Sequence, residues 1–193
     1  MDVSQTIKWM EIFHAKINEN KQTLNLLDTP IGDGDHGSNM VRGMNAVWEG
    51  LEEGQPGDVP TALKIIAKNL LSKVGGSAGP LYGSAFLGMA KSMQAGGSFP
   101  EAIQQAAESI MQRGKSTTGE KTMNDVWVPV AQALQAGTLT DESIDQLVQS
   151  TAQMKATKGR ASYVGDRSMG HVDPGAYSSG LLFKALIEVE GEK

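Results

Sequence analysis

Three carboxylates, Asp28, Asp33 and Asp35, fall within eight consecutive positions of the stretch Leu27-Asp28-Thr29-Pro30-Ile31-Gly32-Asp33-Gly34-Asp35-His36-Gly37-Ser38-Asn39-Met40. Crowding three anions into a solvated turn costs Coulomb energy that a bound cation would remove, and hard carboxylate oxygens suit Mg²⁺ or Ca²⁺. The calcium-loop pattern fails here. Counted from Asp33, its third acidic or amide position is Gly37, its glycine is Ser38 and its closing glutamate is Met44. Gly32, Gly34 and Gly37 have the spacing of a dinucleotide fingerprint, but that loop requires a preceding strand, and two aspartates inside it would repel a pyrophosphate unless a metal intervened. The plain structural alternative is an Asx-rich turn whose side chains bond their own backbone. Against it, Gly37-Ser38-Asn39 opens a helical pattern, so free N–H groups and a positive dipole end adjoin the carboxylates. That junction suits metal-bridged phosphate.

Other side chains fit the same chemistry. Arg160, between Gly159 and Ala161 in a loop, is either a solvated surface residue or a bidentate clamp for phosphate. His36, between Asp35 and Gly37, reads as a ligand or a phosphate donor rather than as core. His171, in Gly170-His171-Val172-Asp173-Pro174-Gly175, reads as either part of the site or a residue that orders its turn. His14, inside the first helical pattern, is assigned nothing. Most of the ten methionines fall at core spacing, whereas Met123 is placed to line an apolar base pocket.

These residues are carried by helical patterns, and no convincing period-two alternation is present, so the class expected is all-α with about eight helices. Ser4 is expected to cap a first helix through Ile7, Met10, Phe13, Ile17, Leu24 and Leu27 that ends at the acidic loop. A second carries Met40, Met44, Val47 and Leu51. A third starts at Pro60, a fourth has Pro80 in its first turn and a fifth opens at Pro100. Thr122 is expected to cap a sixth, which Pro129 should kink unless it falls near the start. Thr140 caps a seventh that carries on through Thr151 and Met154. A glycine-rich segment from Lys158 to Gly175 precedes an eighth, through Leu181, Leu182, Ala185, Leu186 and Val189.

If successive helices run antiparallel, alternate loops share one end of the bundle. The first, third, fifth and seventh loops then gather the acidic cluster, Gly75-Gly76-Ser77-Ala78-Gly79, the segment from Arg113 to Thr122, and the segment from Lys158 to Gly175. The even loops are plain turns. One chemically loaded end predicts a single binding site there. Gly114-Lys115-Ser116 is not a phosphate loop, because that pattern's first glycine would fall at Ser109 inside a helix.

Composition narrows the function classes. A chain of 193 residues is expected to be one domain, residues 1–193, with a full core. It contains no cysteine, which excludes disulfides and thiolate metal sites and fits a reducing compartment. No apolar run is long enough for a signal or spanning helix, so no membrane partner and a cytoplasmic location are expected. The net charge of −5 and the absence of a basic, aromatic-laced cluster argue against nucleic acid.

The motifs together, Gly-Asp-Gly-Asp-His-Gly-Ser-Asn at 32–39, Gly-Gly-Ser-Ala-Gly-Pro at 75–80, Lys-Thr-Met-Asn-Asp-Val-Trp-Val-Pro at 121–129, Lys-Gly-Arg-Ala-Ser-Tyr at 158–163 and Gly-His-Val-Asp-Pro-Gly at 170–175, closely resemble the nucleotide-binding component of dihydroxyacetone kinases. The resemblance runs through nearly the whole chain. It implies an eight-helix barrel holding ADP or ATP at one end, with Asp28, Asp33 and Asp35 binding two Mg²⁺ ions and His36, Gly37, Ser38 and Asn39 at the phosphates. It places Ser77, Ala78, Gly114 and Met123 around the base and sugar, with Arg160, Asp173, Pro174 and Gly175 completing the site and Arg160 the catalytic residue. Many relatives read Gly-Gly-Ala-Ser-Gly where this chain has Gly75-Gly76-Ser77-Ala78-Gly79, which sets the hydroxyl one residue early.

The family has a form fused to a substrate domain that uses ATP, and a separate subunit whose ADP is rephosphorylated in place by a phosphohistidine protein of the phosphoenolpyruvate-dependent phosphotransferase system. The separate form is expected here. It implies a dihydroxyacetone-binding kinase subunit as partner, with a homodimer left open. The rivals are an ATP-dependent subunit with exchanging nucleotide, a metal-dependent phosphohydrolase, and a non-catalytic scaffold that would have no need of the acidic cluster.

Overall fold

The computed structural model describes residues 1–191, and its regular structure there is entirely helical. The helices are α1 (Val3–Glu19), α2 (Lys21–Asp28), α3 (His36–Gly54), α4 (Val59–Lys73), α5 (Ala78–Gln94), α6 (Phe99–Gly114), α7 (Asn124–Ala136), α8 (Asp141–Ser150) and α9 (Pro174–Gly191). The first expected helix is thus two. Asn20 breaks it, with its amide donating to the Lys16 carbonyl at 2.9 Å and its oxygen accepting the Tyr177 hydroxyl of α9 at 3.1 Å. A short polar side chain that bonds nearby backbone competes with helix continuation, a tertiary detail the apolar spacing does not carry. If α1 and α2 are taken as one broken helix, the expected eight remain.

Several boundaries differ from expectation. Asp2, not Ser4, caps α1, in a reciprocal pairing with Gln5. Asp58 caps α4, which starts at Val59, one residue before the expected Pro60, and Ser98 with Glu101 forms a capping box on α6. Thr140 does cap α8, which ends at Ser150; Thr151–Gln153 is one 3-10 turn and Met154 lies beyond it. Met123, not Thr122, stands at the N-cap of α7 and makes no side-chain cap bond; the Thr122 hydroxyl, one residue further out, accepts the Asn124 amide at 3.2 Å. α7 runs through Pro129 to Ala136. The segment from Lys158 to Gly175 contains a 3-10 stretch, Arg160–Ser168, kinked at Gly165, and α9 begins as early as Pro174.

Neighbouring helices pack in chain order from α3 to α9, while α1 packs against both α3 and α9, so the helices close into a ring. Inside it the aromatic residues interlock: Trp9 tilts against Phe86 and meets Phe99 edge-on, and Trp127 stands edge-on to both Tyr82 and Phe183, the latter with centroids 4.8 Å apart. Such edge-to-face pairs add to the burial of their large apolar faces. Met40, Met44, Ile66, Leu70, Ile110 and Leu186 are among the aliphatic residues that fill the interior around them. The buried indole of Trp9 donates to the Leu182 carbonyl at 2.8 Å, which ties α1 to α9 across the seam where the ring closes.

Candidate functional site

The end of the ring where α3, α5, α7 and α9 begin holds a cavity of about 830 Å³. Its walls take residues from all four loops that the alternation argument placed together, including Asp28, Ser77, Met123, Arg160 and Asp173.

Asp28 is the last residue of α2, where its charge opposes the helix dipole. One carboxylate oxygen is engaged: Oδ2 accepts the amides of Asp35 and His36 at 3.0 and 3.3 Å, and so caps α3 from outside. The other, Oδ1, is so close to Gly32 that a Cβ there would lie 1.9 Å from it, which explains the glycine. Asp28, Asp33 and Asp35 each present an oxygen within 4.8 Å of the others. Three hard oxygen donors converging at that range, with backbone bonds fixing the buried one, fit Mg²⁺. Opposite them the Arg160 guanidinium pairs with Asp33 at 2.8 Å.

The start of α3 is held by α2. Ser38 donates its amide to Asn25 Oδ1 at 3.1 Å and accepts from the same side chain's nitrogen at 3.1 Å, so its hydroxyl faces α2 rather than the cavity. A Cβ on Gly37 would come within 2.1 Å of the Lys21 carbonyl. Neither residue lines the cavity; of the four expected phosphate residues, His36 and Asn39 do. Asn39 accepts from Arg42 at 2.6 Å, and Arg42 reaches the Lys73 carbonyl, which fixes the start of the next site loop. There α5 opens with no side-chain cap from Ser77. Among the described residues the amides of Ala78 and Gly79 have no acceptor. By contrast, α1, α4, α6 and α8 are each capped by the side chain at their own N-cap. Unpaired amides at a helix start suit an anionic ligand.

His36 reaches inward. Its Nε2 lies 3.0 Å from the Ser178 hydroxyl, which meets the Tyr82 hydroxyl at 2.8 Å. Tyr82 meets Ser179 at 3.0 Å, and Ser179 accepts the Trp127 indole N–H at 2.9 Å. Burial pushes His36 down to about 4 against the opposing pull of Asp35, so the imidazole is neutral at pH 7. Burial likewise raises the Tyr82 phenol, which stays protonated. Asp173 caps α9 by accepting the Ala176 amide at 2.8 Å, and burial raises its carboxyl to about 7, opposed by that bond and by Lys121. A cation beside Asp28 would favour its ionised form.

The remaining expected residues Gly114, Pro174 and Gly175 also line the cavity. Gly114 ends α6, and Met123 is buried just ahead of α7. Sequence reasoning missed Ser178, Ser179 and Tyr82, whose apolar-looking helix positions hide a polar chain, and Lys121, a charged residue that is 1% exposed. His171 contributes through its backbone carbonyl, which accepts from Lys121. His14 stacks on Trp48 and bonds Asn45 at 2.7 Å. No helix among the described residues is long and apolar enough to cross a membrane.

Comparison with known proteins extends this geometry. The DAK2 domain matches residues 30–188. The chain is 47% identical over 193 residues to the ADP-binding subunit of PEP-dependent dihydroxyacetone kinase 1 of Listeria innocua, covering 98% of each chain. It is also 47% identical over 189 residues, again covering 98% of each, to the ADP-binding subunit of the PTS-dependent dihydroxyacetone kinase of Lactococcus lactis. The dihydroxyacetone kinase of C. freundii, solved with AMP-PNP and Mg²⁺, shares the fold, with a TM-score of 0.79 at 24% identity over 96% of this chain and 34% of that one. The chain thus spans about a third of that larger kinase.

Proposed function

The chain belongs to the DAK2-domain family, and from that premise we propose that it is the nucleotide-holding phosphotransfer subunit of a phosphoenolpyruvate-dependent dihydroxyacetone kinase. The observation that carries the reading is the cavity itself, in which three converging carboxylates, an uncapped helix start and an arginine surround one space large enough for a nucleotide.

In this reading Asp28, Asp33 and Asp35 hold two Mg²⁺ ions, which would neutralise the repulsion between carboxylates and phosphates. His36 and Asn39 face the phosphates, whereas Gly37 packs on α2 and the Ser38 amide is taken by Asn25, so neither keeps the phosphate contact expected of it; the unpaired amides of Ala78 and Gly79 add donors at the start of α5. Ser77, Gly114 and Met123 enclose the base and sugar, and Asp173, Pro174 and Gly175 close the opposite wall. Arg160 is 64% exposed at the rim, free to turn its planar fork to the oxygens of a transferring phosphoryl group. Bound nucleotide supplies an acceptor oxygen for phosphoryl from a phosphohistidine protein of the phosphotransferase system and then donates that group to a hydroxyl of dihydroxyacetone on a partner subunit. All the site residues come from one chain, so no homodimer is needed to complete it.

Resident rather than exchanging ADP is favoured by the near full-length match to ADP-binding subunits of the separate kind. The test is to load the purified chain with labelled ADP and add phosphoenolpyruvate, the phosphotransferase proteins and the substrate subunit. Many turnovers of dihydroxyacetone phosphate with the label retained are expected. Label lost within one turnover, or efficient use of free ATP without a phosphoprotein, points to the exchanging form; turnover of phosphate esters by the chain alone points to a phosphohydrolase.

A further inference from the structure

Lys121 is a buried lysine in the wall of the cavity. It sits in a left-handed turn, φ 60°, which a non-glycine residue keeps only where its surroundings dictate it. Its ammonium donates to the carbonyl of Thr151 at 2.6 Å and to that of His171. Thr151, just beyond the C-terminus of α8, also accepts the Asp173 amide on its hydroxyl at 3.0 Å. The two links converge on one turn: the ammonium holds its approach at His171, and Thr151 holds Asp173. On its own side Lys121 is anchored by Asp125, whose carboxylate accepts the amides of Gly119 and Thr122.

Burying an ammonium is expensive unless donors and charge are matched, and here two carbonyls and the neighbouring carboxylates of Asp125 and Asp173 supply the match. A methionine would fill the same space without that cost. The choice of lysine therefore calls for something packing does not supply. We propose that Lys121 is a positioning residue of the nucleotide site, fixing the Asp173-Pro174-Gly175 turn against the Met123 wall through the carbonyls of Thr151 and His171. The inference rests on the nucleotide reading above. It makes the two walls one mechanical unit, so that placement of Asp173 depends on a side chain some 50 residues earlier in the chain.

The test is a double-mutant cycle on Mg·ADP affinity, measured by calorimetry on wild type, Lys121→Met, Asp173→Ala and the double variant. Lys121→Met is expected to weaken binding at least tenfold, and the double variant to bind within about twofold of Lys121→Met, because Asp173 is already misplaced once the clamp is gone. Effects that multiply would assign Lys121 a purely structural role and overturn the proposal, as would a Lys121→Met affinity equal to wild type. Thr151→Val removes only the hydroxyl link to Asp173. It should weaken Mg·ADP by threefold or more, and if Lys121→Met does not fold, unchanged binding by Thr151→Val overturns the inference by itself. A wild-type chain that fails to bind Mg·ADP overturns instead the functional reading on which the inference rests.

Discussion

The Arg160 guanidinium lies 2.8 Å from a carboxylate oxygen of Asp33, so the residue assigned to the transferring phosphate pairs with a residue assigned to the metal. Both are substantially exposed, 64% and 40%, and such a pair contributes about 0–1 kcal/mol. Under the proposed function, Arg160 and a bound cation would compete for the same oxygen. Arg160→Ala is expected to bind Mg²⁺ alone up to about fivefold more tightly in a direct titration, and an affinity lower than wild type would contradict the competition. Arg160→Lys keeps charge but loses the fork, so phosphoryl transfer should fall much more than ADP affinity; equal losses would place the residue in ground-state binding.

The three aspartates should not behave alike. Asp33→Ala and Asp35→Ala are expected to abolish Mg-dependent nucleotide binding while leaving helix content and the ligand-free melting temperature nearly unchanged. Asp28→Ala should do the same to binding and also lower the ligand-free melt, because its carboxylate caps α3 through the amides of Asp35 and His36. Loss of a cap costs about 1–2 kcal/mol, or roughly 2–8 °C for a chain of this size. Identical ligand-free melts for all three would remove the capping role.

Two groups give opposite pH dependences. His36 has its pKa lowered to about 4, so the unfolded chain binds the extra proton between about pH 4 and the unfolded value of 6.5, and stability from this group rises with pH across that window. Asp173 has its pKa raised to about 7, so the folded chain binds the extra proton between 3.8 and about 7, and stability from this group falls over nearly the same range. In wild type the two largely offset each other. Denaturant titrations of the ligand-free chain from pH 4 to 7 should show stability falling with pH in His36→Gln and rising with pH in Asp173→Asn. Slopes of the same sign in both variants would contradict the assignment.

Mg·ADP should stabilise the chain by mass action. At about 100 to 1,000 times Kd the gain is roughly 3–4 kcal/mol, equivalent to a melt on the order of 6–15 °C higher. Melting temperatures that are equal with and without Mg·ADP would rule out the metal-bridged nucleotide.

The helical class and the gathering of four loops at one end were legible because apolar spacing and breaker residues repeat along the chain, and an antiparallel ring has few ways to arrange alternating loops. The acidic cluster was legible for a local reason: its three members sit within one turn-and-cap unit. What escaped depends on partners far along the chain. Asn20 breaks the first helix partly through Tyr177, and nothing near Asn20 in sequence announces that hydroxyl. The stretch Arg160–Ser168 read as loop because short 3-10 turns lack the 3.6-residue apolar repeat. Lys121 drew no reading of its own within its motif, since its acceptors are 30 and 50 residues away. Pro129, expected to kink this helix unless it fell near its start, is the sixth residue of α7, which continues past it to Ala136.

This division between near and far partners also orders the assembly of the site in time. The carboxylate subsite closes through bonds spanning only 7 to 13 residues, from Asp28 to Asp35 and from Asn25 to Ser38, whereas the opposite wall waits for Lys121 to find carbonyls 30 and 50 residues on. Local contacts form early in folding and distant ones late, because loop closure must precede their reward. A refolding chain should therefore acquire its cation subsite before it can retain a nucleotide. Rapid-mixing refolding with a paramagnetic Mn²⁺ probe and a fluorescent ADP analogue should register the metal in an earlier kinetic phase than the nucleotide.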